Sequence, residues 1–231
     1  MEGSPIPVEA VDQTSAPGPR VVVLERSVAF AGFFKVIRFR LRHRLFAGGM
    51  GPELSRELLV RSHAAVVLPY DPARRQVVLV EQFRIGAIEQ PDEAWMLEPV
   101  AGMIEAGESA PEVARREAVE EAGLELLDLV PVGRYYPSPG GSSEICEAFI
   151  GRIDSRDAGG LFGLADHGED VKAHVLPLAT ALAWLEEGRF RAASTLITLQ
   201  WLALHRAELD ARWSGAPGPR PPGAGPTGGG A

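Results

Sequence analysis

Alternation of apolar and basic positions marks the first strand-forming part of the chain. An apolar run covers residues 21–24, and residues 33–42 alternate between apolar and basic side chains from residue 35 onward. Successive side chains of a strand point to opposite faces, so this pattern predicts a sheet with one buried face. Residues 48–52, rich in glycine, break the chain, and residues 56–60 are the next strand candidate. We expect a small N-terminal sheet here.

Apolar runs of strand length recur through the rest of the chain. They are bounded by turn-forming residues and cover residues 64–70, 76–83, 127–135, 145–153 and 171–176. Loops are expected at residues 137–141 and 159–170, and helices at residues 178–187 and 193–213. The last helix carries an apolar face that we expect to pack in the core, formed by Leu196, Leu199, Leu202, Leu204 and Leu209. The fold class is therefore α/β, a mixed sheet with helices on its faces in an α/β/α sandwich.

A further helix is predicted at residues 110–122 from its two ends. Ser109 and Pro111 are favoured at helix starts, and Glu112 stands three residues after Ser109, which is the spacing of a capping box. Gly123 can adopt the left-handed conformation that ends a helix.

Three carboxylates of this helix share one side. Glu117 is three residues from Glu120 and four from Glu121, so these like charges repel. Arg116 can pair with Glu120, which leaves Glu117 and Glu121 to bind a cation, and Mg²⁺ prefers such oxygen ligands. The alternative is a solvated acidic face without a ligand.

Composition fits one globular domain with appendages. The chain has 231 residues, of which 45% are hydrophobic and 23% charged. We divide it into a flexible N-terminal lead, an N-terminal sheet segment, a main globular domain and a disordered tail rich in Gly and Pro. These segments are residues 1–19, 20–57, 58–213 and 214–231.

Charge and cysteine content restrict the partners and the compartment. The net charge of −8 argues against binding to nucleic acid or to a membrane surface, and no apolar run is long enough for a membrane span. Cys146 is the only cysteine, so an intrachain disulfide is excluded and a cytoplasmic location is expected. We interpret Cys146 as a small apolar strand residue.

The segment from Gly102 to Leu124 resembles a known catalytic motif. Gly102, Glu108 and the run Arg116-Glu117-Ala118-x-Glu120-Glu121-x-Gly123-Leu124 have the spacing of the Nudix box. Within the Nudix hydrolases, the chain is similar to the bacterial ADP-ribose pyrophosphatases from about residue 32 to residue 213. Glu81-Gln82-Phe83-Arg84, Leu97-Glu98-Pro99 and Pro139, about fifteen residues beyond the box, support the similarity.

This resemblance implies Mg²⁺-dependent hydrolysis of ADP-ribose to AMP and ribose 5-phosphate, with Mn²⁺ as a substitute metal. The implied metal ligands are the carbonyl of Ala101 and the carboxylates of Glu117, Glu121 and Glu169. The resemblance further implies that Glu120 is a metal ligand or an acid beside the ligands, and that Arg116 holds the carboxylates in place. It also implies a catalytic role for the late loop, which contains His167 and Glu169.

The resemblance also implies a substrate site and a homodimer in which the N-terminal sheet of one chain reaches the active site of the other. The implied substrate residues are Phe33, Phe34, Arg56, Glu57, Arg61, Arg84, Ser138, Pro139, Gly140 and Glu144. A small sheet with exposed edges gives physical support to the dimer. The alternatives are exposed edge-strand charges for Arg56 and Arg61, and a core position for Phe33.

One position departs from the family pattern. Close relatives carry two glutamates two residues apart in the late loop, whereas here His167 stands at the first position and Glu169 at the second. The general base could be His167, Glu169 or Asp166, or the metal itself could supply hydroxide.

Two other functions remain open at the level of sequence. The substrate could be another diphosphate, such as ADP-glucose, GDP-mannose or a dinucleotide, because loops set the substrate on a shared fold. The chain could instead be a Nudix module that binds ADP-ribose without turnover. Retention of Glu117, Glu120 and Glu121 argues against this second alternative.

Overall fold

The computed structural model describes residues 18–163 and 168–214, and two compact units divide the chain into Met1–Val60 and Arg61–Ala231. The division falls at the end of a strand, after residue 60. The proposed N-terminal lead and C-terminal tail lie outside the described residues, apart from residues 18, 19 and 214.

The first unit contains a three-stranded antiparallel sheet. Its strands are β1 (Val21–Ala31), β2 (Lys35–His43) and β3 (Leu54–Val60), with β2 in the centre. The strand β1 is longer than the predicted apolar run at residues 21–24, because it pairs along the whole length of β2. Ile37 is buried on β2, while Arg38 and Arg40 form ion pairs with carboxylates of the neighbouring strands.

The second unit is built on a mixed eight-stranded sheet. Its strands are β4 (Ala64–Asp71), β5 (Gln76–Phe83), β6 (Trp95–Glu98), β7 (Val100–Met103), β8 (Asp128–Tyr135), β9 (Cys146–Arg152), β10 (Gly160–Phe162) and β11 (Val171–Pro177). The order is β10-β11-β5-β4-β9-β8, with β6 paired to β5 and β7 paired to β4. Only the β4–β9 pairing is parallel among the pairings of the described strands.

Helices cover both faces of this sheet. On β5, Val78 and Val80 pack in the cluster that contains α1 (Ala110–Ala122). Val77 and Leu79 point to the opposite face, where α2 (Leu178–Glu186) and α3 (Ala193–Ser214) pack. The alternation of apolar residues along a strand buried on both faces thus produces two cores. The predicted α/β/α sandwich is confirmed.

Several sequence-based expectations are corrected. The short strands β6 and β7 were not predicted, and β10 lies within residues 159–170, which were expected to be a loop. Leu204 is 81% exposed, whereas Leu199, Leu202 and Leu209 are buried. The apolar stripe of α3 is wider than the helix face that meets the sheet, so Leu204 falls outside the core. None of the described helices is long and apolar enough to cross a membrane.

Candidate active site

The ends of α1 determine where its acidic side chains lie. The Ser109 N–H donates to the Glu112 carboxylate at 2.8 Å, and the Ser109 hydroxyl donates to it at 2.6 Å. At the other end, Gly123 has φ of 63° and closes the helix in the left-handed conformation. The predicted bounds and both caps of this helix are confirmed. They position the turn from Arg116 to Glu121 beside strand β7.

Glu121 is a buried carboxylate at the contact between α1 and β7. It accepts hydrogen bonds from the Ala101 N–H at 3.1 Å and, more weakly, from the Gln82 amide at 3.4 Å. The pKa of Glu121 is raised to about 7, mainly by burial and also by the nearby Glu117 carboxylate, while the Ala101 hydrogen bond and Arg84 oppose the rise. A buried carboxylate beside a second carboxylate is well suited to bind a cation.

Glu117 lies against the backbone of β7. Its pKa is raised by burial, against the influence of Arg116, and the charges of Glu120 and Glu169 add to the rise. A Cβ built at Gly102 would overlap the Glu117 carboxylate. Only a glycine therefore permits this approach of the carboxylate to the strand.

Arg116 connects the carboxylates of the motif. It pairs with Glu108 at 3.2 Å, with Glu117 at 2.7 Å and with Glu120 at 3.1 Å. The predicted pair with Glu120 is present. Arg116 also contacts Glu117, because its guanidinium has enough donors to reach all three acids.

Arg84 and Glu98 form a second polar pair next to this group. The Arg84 N–H donates to the Ala94 carbonyl at 2.7 Å, and its Nε donates to Glu98 at 2.5 Å. The Glu98 side chain is only 13% exposed, and the Arg84 side chain is 40% exposed. Among the described residues, the other guanidinium donors of Arg84 have no hydrogen-bond partner, so they are available to an anion.

The other predicted substrate residues of the second unit lie in two places. Arg61 pairs with Glu144 at 3.2 Å, and the Arg61 N–H donates to the Ser143 hydroxyl at 2.9 Å. Residues Ser138, Pro139 and Gly140 are exposed in a turn closed by hydrogen bonds to the Ser138 carbonyl.

Four predicted substrate residues belong to the first unit. The rings of Phe33 and Phe34 meet edge to face at 4.9 Å, and Phe33 is 93% exposed, so it is not a core residue of the sheet. Arg56 and Glu57 lie on β3, where Glu57 pairs with Arg38 at 2.8 Å.

Comparison with known proteins identifies the family. The Nudix domain model matches residues 60–216. The ADP-ribose pyrophosphatase of Escherichia coli K12 is 47% identical over 194 residues, which cover 84% of this chain and 93% of that protein. The chain belongs to the Nudix family. The ADP-ribose pyrophosphatase of Haemophilus influenzae is 41% identical over 196 residues, or 84% of this chain and 90% of that protein.

Two further comparisons are more distant. The GDP-mannose pyrophosphatase of Citrobacter koseri is 34% identical over 150 residues, or 64% of this chain and 76% of that protein. A solved structure of an ADP compounds hydrolase has a TM-score of 0.62 at 22% identity, covering 83% of this chain and 98% of that one. The solved structure supports the fold, and the family resemblance seen in the sequence is confirmed.

The Nudix box residues suit a hard divalent cation by their chemistry. Glu117 and Glu121 offer oxygen ligands whose pKa values are raised by burial, and a nearby cation would favour their charged forms. Within residues 18–163 and 168–214, no group of three His, Cys, Asp or Glu side chains already has metal-binding geometry. Arg116, rather than a third acid, contacts Glu117, and Glu169 is exposed.

Two residues illustrate the limits of the sequence prediction at this site. His167 lies outside the described residues, as does Asp166. The sequence motif gave no sign of the role of Glu98, which depends on its contact with Arg84 on another strand. Cys146 is buried in β9 as predicted, and burial raises the pKa of its thiol.

Proposed function

We propose that this protein hydrolyses the diphosphate of ADP-ribose to AMP and ribose 5-phosphate. The observation that carries the proposal is the buried Glu121 beside Glu117 and Gly102, within a chain that is 47% identical to an ADP-ribose pyrophosphatase. Hydrolysis requires water to attack one phosphorus while the bridging oxygen leaves with the other. Negative charge therefore increases on phosphate oxygens in the transition state.

The residues of the site divide this work. Glu117, Glu121, Glu169 and the Ala101 carbonyl would hold Mg²⁺, with Mn²⁺ as a substitute. Such a metal, when bound, lowers the pKa of water and offsets phosphate charge. Arg116 would keep Glu117 and Glu120 in place, because it already bridges both.

Substrate binding is proposed for residues of both units. Arg84 would bind the diphosphate through the donors that Glu98 leaves unused, and a planar guanidinium suits phosphate oxygens. The remaining proposed substrate residues are Phe33, Phe34, Arg56, Glu57, Arg61, Ser138, Pro139, Gly140 and Glu144.

The attacking water must transfer a proton to a general base. His167 is one candidate, with an unperturbed pKa of about 6.5, and Glu169 is another. Glu169 is supported by its electrostatic influence on Glu117. We further propose a homodimer and a cytoplasmic location, the latter because the only cysteine is a buried free thiol.

A related substrate is the second candidate function. The 34% identity to a GDP-mannose pyrophosphatase favours testing other nucleoside diphosphate sugars. The alternative of a binding module without turnover has less support, because Glu117, Glu120 and Glu121 are all retained.

The decisive experiment is product analysis after incubation with Mg²⁺ and ADP-ribose, with ADP-glucose and GDP-mannose in parallel. We expect AMP and ribose 5-phosphate from ADP-ribose at the highest rate. Glu121→Gln should lower turnover by at least about 100-fold, because it removes a charge that acts on the transition state. ADP-ribose binding without products would contradict hydrolysis. Faster turnover of GDP-mannose than of ADP-ribose would make GDP-mannose the preferred substrate.

A further inference from the structure

A cluster of arginines lies at the opposite end of β4 from the Nudix box. Ala101 pairs with Val66 on β4, whereas Arg152 pairs with Tyr70, four residues further along. Four residues of strand correspond to about 13 Å. Arg75 and Arg152 line a cleft of about 320 Å³ there, together with Asp210 and Trp213. This volume is at the lower end of the range for small-molecule sites.

These arginines differ from their neighbours in having no acidic partner. Among the described residues, neither Arg75 nor Arg152 makes a hydrogen bond through its side chain or an ion pair. Arg74, by contrast, pairs with Asp71 and Asp154 at 3.1 and 3.0 Å. The cleft therefore holds two unpaired positive charges in a protein whose net charge is −8.

The backbone of Arg75 is also unusual. Its φ of 53° makes it the one non-glycine residue with positive φ in the described chain. Glycine is the residue that adopts this conformation without cost, and an arginine there loses about 1 kcal/mol. The Arg75 carbonyl accepts the Leu178 N–H at 2.8 Å, which fixes the turn. An arginine at a position that favours glycine suggests that its side chain is used.

The cleft contains one acceptor as well as the positive charges. Asp210 accepts a hydrogen bond from the Tyr70 hydroxyl at 2.8 Å. Burial raises the pKa of Tyr70, the hydrogen bond to Asp210 adds to the rise, and the charges of Arg206 and Arg75 oppose it. Asp210 would balance one of the two lining arginines, which leaves one positive charge for an anion.

We propose that this cleft binds a small phosphomonoester that also carries hydroxyl groups. Its phosphate would contact Arg75 and Arg152, since planar guanidinium groups bind phosphate oxygens in pairs. A hydroxyl group of the same molecule would donate to Asp210. Trp213 would provide an apolar wall. This site is separate from the diphosphate site and does not depend on the proposed hydrolysis.

The test is calorimetric titration of the full-length protein with ribose 5-phosphate, and separately with inorganic phosphate. Arg75→Gly removes the side chain and suits the left-handed backbone, so this variant should fold. Arg152→Gln is the second variant. Each should weaken ribose 5-phosphate binding by about tenfold or more, because each removes a charged hydrogen bond. Inorganic phosphate should bind more weakly than ribose 5-phosphate, since it lacks the hydroxyl for Asp210.

Two controls separate this site from the rest of the molecule. Arg134→Gln changes an exposed arginine of β8 that does not line the cleft, and Arg84→Gln changes the proposed diphosphate site. Both should leave the cleft affinity unchanged. Loss of binding in Arg84→Gln with no loss in Arg152→Gln would assign the ligand to the active site and overturn the proposal. Equal binding by all variants would overturn it as non-specific.

Discussion

Gly102 shows how the absence of a side chain shapes the site at the scale of one residue. A Cβ at this position would overlap the Glu117 carboxylate, so Gly102→Ala must displace either the strand or the acid. A shift of about 1 Å at a catalytic group can lower the rate by about 100-fold, and we expect a fall in kcat of that size. The measurement is steady-state turnover of ADP-ribose.

Gly86→Ala is the matched control for this variant. Gly86 is exposed, and a Cβ there would meet no atom within 4 Å. Its turnover should stay within a factor of two or so of the unmodified protein, as for other unconstrained surface positions. Equal activity of the Gly102→Ala and Gly86→Ala proteins would show that the Glu117 contact has no functional consequence.

Glu98 is a positioning residue for Arg84 by its geometry. Its carboxylate holds the Arg84 Nε at 2.5 Å and is largely buried. Glu98→Gln keeps an acceptor for the charged Arg84 guanidinium but removes the negative charge, so the hydrogen bond weakens by about 1 kcal/mol or more. If Arg84 binds the diphosphate in the ground state and the transition state alike, kcat/KM should fall by about tenfold, mainly through KM.

A carboxylate on the same strand pair provides the comparison for Glu98. Glu81 pairs with His174 at 2.7 Å. Glu98 lies opposite Val80 across the β5–β6 pair, and Glu81 follows Val80 in the chain. Adjacent strand positions face opposite sides of the sheet, so Glu81→Gln should leave KM unchanged. A fall in kcat alone for Glu98→Gln would contradict a role in binding through Arg84.

At the scale of elements, Asp71 stabilises the turn between β4 and β5 and connects it to β9. It accepts hydrogen bonds from the Ala73 and Arg74 N–H groups at 2.9 and 3.0 Å, and from the Ser155 N–H and hydroxyl at 2.9 and 2.8 Å. Burial alone would raise its pKa, but the hydrogen bonds from Ser155 and Arg74 lower the pKa to about 2.

Asp71→Asn should therefore lower the free energy of unfolding by about 2–4 kcal/mol at pH 7. Because the pKa is lower in the folded state, the charged form stabilises the protein at pH above about 4. This stabilisation is lost as the pH falls from about 4 towards 2, so the difference between the two proteins should shrink over that window. Urea unfolding of both proteins at pH 7, 4 and 3 measures this difference in the free energy of unfolding.

Asp154→Asn is the control, since Asp154 also binds Arg74 but its side chain is 41% exposed. Exposed ion pairs contribute less than about 1 kcal/mol, so this variant should have a small effect. Equal losses in the two variants would show that burial of Asp71 is not the cause.

Elements differed in how well the sequence predicted them, and the difference has physical causes. The bounds of α1 were predicted correctly because Ser109 and Gly123 signal its ends locally. Strands β6 and β7 have four residues each and are defined by their pairing with β5 and β4. A local sequence pattern carries no information about this pairing. The prediction of a core position for Leu204 failed for a similar reason. Periodicity shows which residues share a helix face, but not how much of that face the sheet covers.

The same reasoning explains which site residues were found. Glu117, Glu121 and Gly102 belong to one short motif whose spacing places them together. Glu98 takes its role from Arg84, on another strand, and this pairing depends on the register between β5 and β6. Contacts of this kind follow from tertiary structure rather than from local sequence.

At the scale of the whole molecule, the first unit presents exposed apolar side chains on its edge strand β1. Val23, Val28 and Phe30 of β1 are 53%, 56% and 59% exposed. Val23 and Val28 lie opposite Leu41 and Ile37 on one face of the sheet, and exposed apolar side chains on an edge strand favour association with another chain. We therefore expect a dimer, and sedimentation velocity should give about twice the chain mass of 24.7 kDa.

Charged substitutions on β1 test which surface forms this dimer. Val23→Lys combined with Val28→Lys should halve the measured mass, because each places a charge where an apolar contact is lost. Leu161→Lys is the control, since Leu161 is 77% exposed and lies on β10 of the second unit. A monomeric mass for the unmodified protein would contradict the dimer. Dissociation by Leu161→Lys alone would place the interface on the second unit instead.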